Sequence, residues 1–247
     1  MSGQLLIGVL GGMGPLATLD LQQKIIEETP AARDQEHVPV VAWNVPQIPD
    51  RQLALAGKGP SPLTALLAAV ERLNRIGASH IVIACNTAHH WYDELAAAST
   101  APLLHIVDAC ADELRAGAPD KVGIIATAGT LAAGWYQQRL AAQGITALLP
   151  AQAELERLFV PGCYAVKRGE LQRGGELLDE LANALLARGA QKLVLACTEV
   201  PPALAAVQSR SLPLALDPAR ALARQCVRLW QESQRRSNAD AALERRT

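Results

Sequence analysis

Short runs of β-branched and aliphatic residues alternate along the chain with longer stretches in which Ala and Leu recur at helical spacing. The short runs predict strands at residues 5–10, 38–43, 81–84, 103–107, 122–126, 146–149, 193–196 and 212–216. The longer stretches predict helices at 15–29, 62–76, 108–116, 131–143, 175–188 and 218–232. This alternation is the pattern of a parallel sheet, since parallel neighbours need a crossover connection and the crossing helix covers the sheet. Gly77, Gly144 and Gly189 stand where helices should stop. Asp108 and Asp217 read as helix caps, the latter with Pro218 at the first helical position. Residues 162–169 read as a loop, and the polar stretch 233–247 as a tail that frays.

The pattern also repeats itself. Gly77-Ala-Ser-His-Ile-Val-Ile-Ala-Cys85 and Gly189-Ala-Gln-Lys-Leu-Val-Leu-Ala-Cys197 share five of nine residues at an offset of 112, each a helix stop, a buried strand and then a cysteine. Ile7-Gly8-Val9-Leu10-Gly11 parallels Val122-Gly123-Ile124-Ile125-Ala126 at an offset of 115, and both lead into glycine-bearing turns. The expected fold is α/β, with two pseudo-symmetric lobes that are each a parallel-sheet α/β sandwich. The expected division assigns residues 1–107 plus 218–247 to the first lobe, with the last helix returning to it, and 108–217 to the second. Ligands of open parallel sheets bind beyond the carboxyl ends of the strands. Two such lobes face to face would put the ends of both cysteine strands on one cleft, one thiol on each wall.

Composition narrows the function. Of 247 residues 50% are hydrophobic, enough for a packed core, and 23 Lys plus Arg balance 24 Asp plus Glu. A net charge of -1 gives no field to hold a phosphate backbone, and 3% aromatics leave little for stacking bases, so nucleic acid is not the expected partner. No apolar run has the ~20 residues of a membrane span. The first residues lack the basic start of a signal peptide. The five cysteines, at 85, 110, 163, 197 and 226, are odd in number and widely spaced, so neither a disulfide framework nor a zinc ribbon is expected. A cytoplasmic protein with reduced thiols is the expectation.

A buried cysteine is ordinarily a small core hydrophobe, and Cys110, Cys163 and Cys226, on or near helices, read that way. Cys85 and Cys197 differ, because each ends an apolar strand ahead of a helix start, where the dipole favours a thiolate. Two thiols on opposite walls suit removal of a proton α to a carboxylate from one face and its return from the other, as racemisation requires. Gly11-Gly12-Met13-Gly14 lacks nucleotide-loop spacing, so Met13 and Gly14 read either as a tight turn or as close backbone approach to a small carboxylate. His89 is at helical spacing from Cys85, as a thiolate–imidazolium partner or, less readily for want of further ligands, as a metal ligand; no metal is expected. Glu199 reads either as a tuning or proton-relay group beside Cys197 or as a first-turn carboxylate. Arg51 and Lys167 on composition alone are solvated cations. Lysines are scarce, at 24, 58, 121, 167 and 192, leaving few candidates for a pyridoxal phosphate Schiff base.

The motifs IGVLGGMGPLAT (residues 7–18), RDQEH (33–37), PQIPDR (46–51), CNTAH (85–89), ATAGT (126–130) and CTEV (197–200) together resemble the cofactor-independent aspartate racemases of the aspartate/glutamate racemase superfamily. The resemblance implies Cys85 and Cys197 as the two acid/base catalysts. It implies Arg51 and Lys167 as cations for the substrate's side-chain carboxylate, and Asn86, Thr87, Thr127 and Thr198 as partners of the other carboxylate. It further implies a cleft between lobes, a homodimer, an acidic amino acid as substrate and no cofactor. Two departures stand out: Ala196 precedes the second cysteine where glycine is familiar, and Gly11-Gly12 and Glu199 replace the Asp-Ser pair and the CTH histidine typical of glutamate racemases. Aspartate is therefore preferred over glutamate. A broader aspartate/glutamate racemase, a one-cysteine dicarboxylate decarboxylase or isomerase, and a bilobal binding protein are the alternatives.

Overall fold

The computed structural model describes residues 5–117 and 119–244. Residues 1–4, where the leader reading begins, and 245–247, the last of the expected tail, lie outside them. The chain forms two four-stranded parallel sheets. In the first, β1 (Ile7–Gly11), β2 (Val40–Asn44), β3 (His80–Ile83) and β4 (Leu103–Leu104) lie in the order β2-β1-β3-β4. In the second, β5 (Lys121–Ala126), β6 (Thr146–Leu148), β7 (Lys192–Ala196) and β8 (Ala215–Leu216) repeat that order as β6-β5-β7-β8. Even the register repeats. Ile7 pairs with His80, and their counterparts at the offsets found in the sequence, Val122 and Lys192, pair with each other. The two-lobed α/β fold is as expected. Each sheet reverses its strand order between its first and third strands, so its binding crevice lies where β1 and β3, or β5 and β7, end.

The central strands are apolar on both faces because helices cover both, and Ile7, Val9, Leu10, Ile81, Val82, Ile83, Val122, Ile124 and Ile125 are all fully buried. Helix Ile106–Gly117 follows the last strand of the first sheet but packs on helix Trp135–Ala141. Helix Pro218–Glu244 follows the last strand of the second sheet but packs on helix Pro15–Glu28. These two final helices also pack on each other, so each lobe sends its last helix across. Arg220 pairs with Glu27 and Glu28, and Arg224 with Glu28 and Glu113, along the seams.

Several elements differ from expectation. The strand expected over 103–107 ends at Leu104 and the helix begins at Ile106, because Ile106 and Val107 bury their side chains from a helix face instead of a sheet. Asp108 therefore lies inside the first turn, paired with Arg139 rather than capping. Asp217 does cap, accepting from the Ala219 N–H at 2.9 Å. The helix expected over 131–143 is two, Ala128–Ala133 and Trp135–Ala141, broken where Gly134 turns left-handed at φ 74. The loop expected over 162–169 is mostly helix Val160–Lys167. Gly162 is there for packing: a Cβ would come 2.9 Å from Leu178 Cγ on helix Leu171–Ala187. The tail expected to fray from 233 continues as helix to Glu244, extending a segment whose Trp230 donates to the Glu36 carbonyl at 2.9 Å.

Candidate active site

Cys85 and Cys197 sit just beyond the ends of β3 and β7, and both line a single narrow cleft between the sheets. Met13, Arg51, Asn86, Thr87, Thr127, Lys167, Thr198 and Glu199 line it with them. Of the residues expected at the site, Gly14 alone falls elsewhere, in an adjoining more apolar groove with Leu16 and Leu19. Asp50 and Gln52 join the lining without having been expected there. Asp50 caps helix Arg51–Leu55, accepting from the Gln52 and Leu53 N–H groups at 2.7 and 3.0 Å, and so aims Arg51 inward.

The Cys197 thiol donates to Glu199 Oε2 at 3.0 Å and lies 3.8 Å from the Cys163 thiol. Its helix start was expected to favour the thiolate; the opposite holds. The hydrogen bond with Cys163 first, then burial, then the charges of Cys163 and Glu199 push the Cys197 thiol well above its ordinary range. Cys163, expected as core filler, is buried as expected but touches this thiol. Glu199 also accepts from the Thr198 hydroxyl at 3.3 Å and pairs with Lys167 Nζ at 3.1 Å. Burial alone would lower the Lys167 pKa, but the Glu199 carboxylate, foremost among the raising causes, helps to hold the ammonium above its usual range.

Across the cleft the hydroxyls of Thr87 and Thr127 meet at 3.0 Å, joining the two lobes. Thr127 caps the next helix by accepting from the Thr130 N–H at 3.1 Å. Buried Arg51 gives Nη1 to the carbonyls of Ile48 and Pro49 at 3.1 and 2.8 Å, yet its Nε has no hydrogen-bond partner. The Asn86 amide nitrogen is likewise buried and unpartnered, while its oxygen accepts from the Tyr136 hydroxyl at 2.5 Å. Buried donors are nearly always satisfied. Two that are not, Arg51 Nε and Asn86 Nδ2, belong to residues that line one cleft with the Lys167 ammonium.

His89 is not a partner of the Cys85 thiol. Its Nε2 accepts from the Ile106 N–H at 3.3 Å, which leaves the ring proton on Nδ1, 2.9 Å from the Cys85 carbonyl. Both ring nitrogens are thereby taken by backbone, which leaves neither for a metal. Tyr136 and Cys163 could not be found from spacing, since their partners lie 50 and 34 residues away.

A family model described as Asp/Glu/Hydantoin racemase matches residues 10–226. Among solved structures, aspartate racemase of Picrophilus torridus is 29% identical and superposes at a TM-score of 0.81 over 93% of this chain and 95% of its own. A glutamate racemase of Francisella tularensis, solved with D-glutamate, shares the fold at 16% identity and a TM-score of 0.68, over 95% of this chain and 83% of its own. The broad specificity amino-acid racemase RacX of Bacillus subtilis is 25% identical over 90% of this chain and 96% of its own. Among the described residues no helix is long and apolar enough to cross a membrane.

Proposed function

The chain belongs to the Asp/Glu/Hydantoin racemase family, and from that premise we propose that this amino-acid racemase interconverts L- and D-aspartate through two thiols and no cofactor. The observation that carries the reading is that Cys85 and Cys197 end equivalent strands of the two lobes and line the same cleft. In one direction the Cys85 thiolate takes the α-proton, the electron pair delocalises into the α-carboxylate, and the Cys197 thiol returns a proton to the opposite face. The other direction exchanges the roles. Donors aimed at the carboxylate stabilise charge as it develops; the unpartnered Asn86 nitrogen serves this end, with the hydroxyls of Thr87, Thr127 and Thr198. The unpartnered Nε of Arg51 serves the distal carboxylate. Lys167 acts through Glu199, which holds the Cys197 S–H and is within reach to exchange its proton.

Aspartate is preferred because the relative at 29% identity is an aspartate racemase. Broader specificity is the second reading, favoured by the likeness to RacX. Incubation with L-aspartate or L-glutamate and chiral chromatography distinguishes them: D-aspartate should form with the larger kcat/KM, and equal values would favour the second reading. In D2O, Cys85→Ala and Cys197→Ala should both lose racemisation, with residual exchange of the α-hydrogen confined to opposite enantiomers. Near-wild-type racemisation by either variant, or exchange of the same enantiomer by both, would refute the two-thiol mechanism. Carbon dioxide or an alkene as product would mark a one-cysteine reaction instead.

A further inference from the structure

We propose that Tyr136 is a positioning residue that holds the Asn86 amide with its nitrogen turned into the cleft, to meet the substrate's α-carboxylate. This rests on the racemase reading only for the identity of that carboxylate. An asparagine amide has two orientations of nearly equal shape and opposite chemistry, one offering N–H donors and the other an acceptor oxygen. An acceptor pointed at a carboxylate repels it. Whatever fixes the amide therefore decides whether the cleft attracts or rejects its ligand.

Tyr136 is fully buried, near the start of helix Trp135–Ala141. A phenylalanine would pack there as well, so the hydroxyl needs its own reason. Its hydrogen bond to Asn86 Oδ1, 2.5 Å long, links the second lobe to the residue beside Cys85 in the first. With the amide flipped, the phenol proton would lose that acceptor inside the core, where an unmade hydrogen bond is costly. The present orientation satisfies the phenol and leaves the two N–H groups of Asn86 buried and unpartnered. Burial also pushes the Tyr136 hydroxyl well above its ordinary pKa, so it remains a donor at every working pH. The cost of orienting the donor is thus met before any ligand arrives, which is preorganisation in the sense that lowers the cost of binding.

A double-mutant cycle tests this. Tyr136→Phe, Asn86→Ala and the double variant are compared with the unmodified chain for KM and kcat toward L-aspartate, and for Kd toward succinate by titration calorimetry. Succinate is a dicarboxylate probe that needs no turnover. Tyr136→Phe should raise KM and Kd by about tenfold, as the unheld Asn86 amide loses its hydrogen bond to the charged carboxylate, with a smaller change in kcat. Asn86→Ala should raise them at least as much, and the second substitution should then add less than about twofold, because the phenol has no amide left to orient. Thermal melts of each variant check that it remains folded at the assay temperature, and a merely structural role would multiply through the cycle. An unchanged Kd for Tyr136→Phe, or effects that multiply, would overturn the proposal. Failure of the unmodified chain to racemise aspartate would sink the racemase reading alone and leave the succinate cycle to decide Tyr136.

Discussion

His89 offers a quantitative test, because the structure leaves its ring only one protonation state. The neutral ring uses both nitrogens, donating from Nδ1 to the Cys85 carbonyl and accepting at Nε2 from the Ile106 N–H. A second proton would displace the Ile106 bond and put a cation into a fully buried site. Burial, only partly offset by the backbone bonds and by Asp108, lowers the pKa from 6.5 to about 4. The neighbouring His105, its ring centroid 4.7 Å away, is lowered to about 3 by burial, His89 and Arg139, and brings no compensating charge. The folded state thus binds this proton less readily than the unfolded chain, and the sign follows. The contribution to stability is fully present above pH 6.5, declines as pH falls below it, and is gone below about 4.

About two and a half pH units at about 1.4 kcal/mol each gives about 3.5 kcal/mol. Urea denaturation at half-unit steps from pH 4 to 7.5 should show the unfolding free energy of the wild type falling on acidification. His89→Asn cannot titrate there, so its slope should be shallower by about 1.4 kcal/mol per unit through the middle of that range. Carboxylates and His105 contribute to both proteins and largely cancel in the difference. Parallel pH profiles for the two would refute the account, since they would mean that His89 takes up its proton equally in both states.

Two further substitutions test the cleft and the packing beneath it. Arg51→Leu should reduce kcat/KM for aspartate by one to two powers of ten, from the ~1.5–3 kcal/mol of a charge-assisted hydrogen bond; kinetics like wild type in a protein that melts normally would return Arg51 to a structural role on the Ile48 and Pro49 carbonyls. Gly175→Ala would put a Cβ 2.4 Å from the Ala203 carbonyl and 2.5 Å from Val207 Cγ1. Overpacking of ~1–3 kcal/mol should outweigh the ~1 kcal/mol gained in helix propensity and lower the melting temperature by a few degrees; an increase would refute the close approach of Gly175 to Ala203 and Val207.

The strands were legible because fully buried parallel strands are near-continuous aliphatic runs, and the matched Gly-Ala to Ala-Cys segments announced both the repeat and the two thiols. Boundaries failed where apolar residues serve a helix instead: Ile106 and Val107 read as strand, and only the packing of their helix says otherwise. Glycine misled in two ways. Gly134 breaks a helix that spacing predicts to be continuous, whereas Gly162 sits inside one, required by the closeness of Leu178. In the cleft, Arg51 and the residues that follow each cysteine were legible through motifs, and Lys167 through the family resemblance. The protonation of Cys197 was not, since its first cause is Cys163, brought up by a helix that composition reads as a loop. Tyr136 left no signal either, because a single aromatic on a helix is read as core.

The exchange of final helices between the lobes has a consequence for how the molecule comes apart. A chain cleaved between its two repeats would not yield two independent folding units. The first piece would keep helix Ile106–Gly117 without Trp135–Ala141 and Pro218–Glu244 to cover it, and would expose helix Pro15–Glu28, whose cover is carried by the second piece. Neither half can shed the other without opening apolar surface on both. Melting should therefore be a single cooperative event for the whole chain, with calorimetric and van't Hoff enthalpies equal, and the separate fragments, mixed, have complementary faces with which to reassemble.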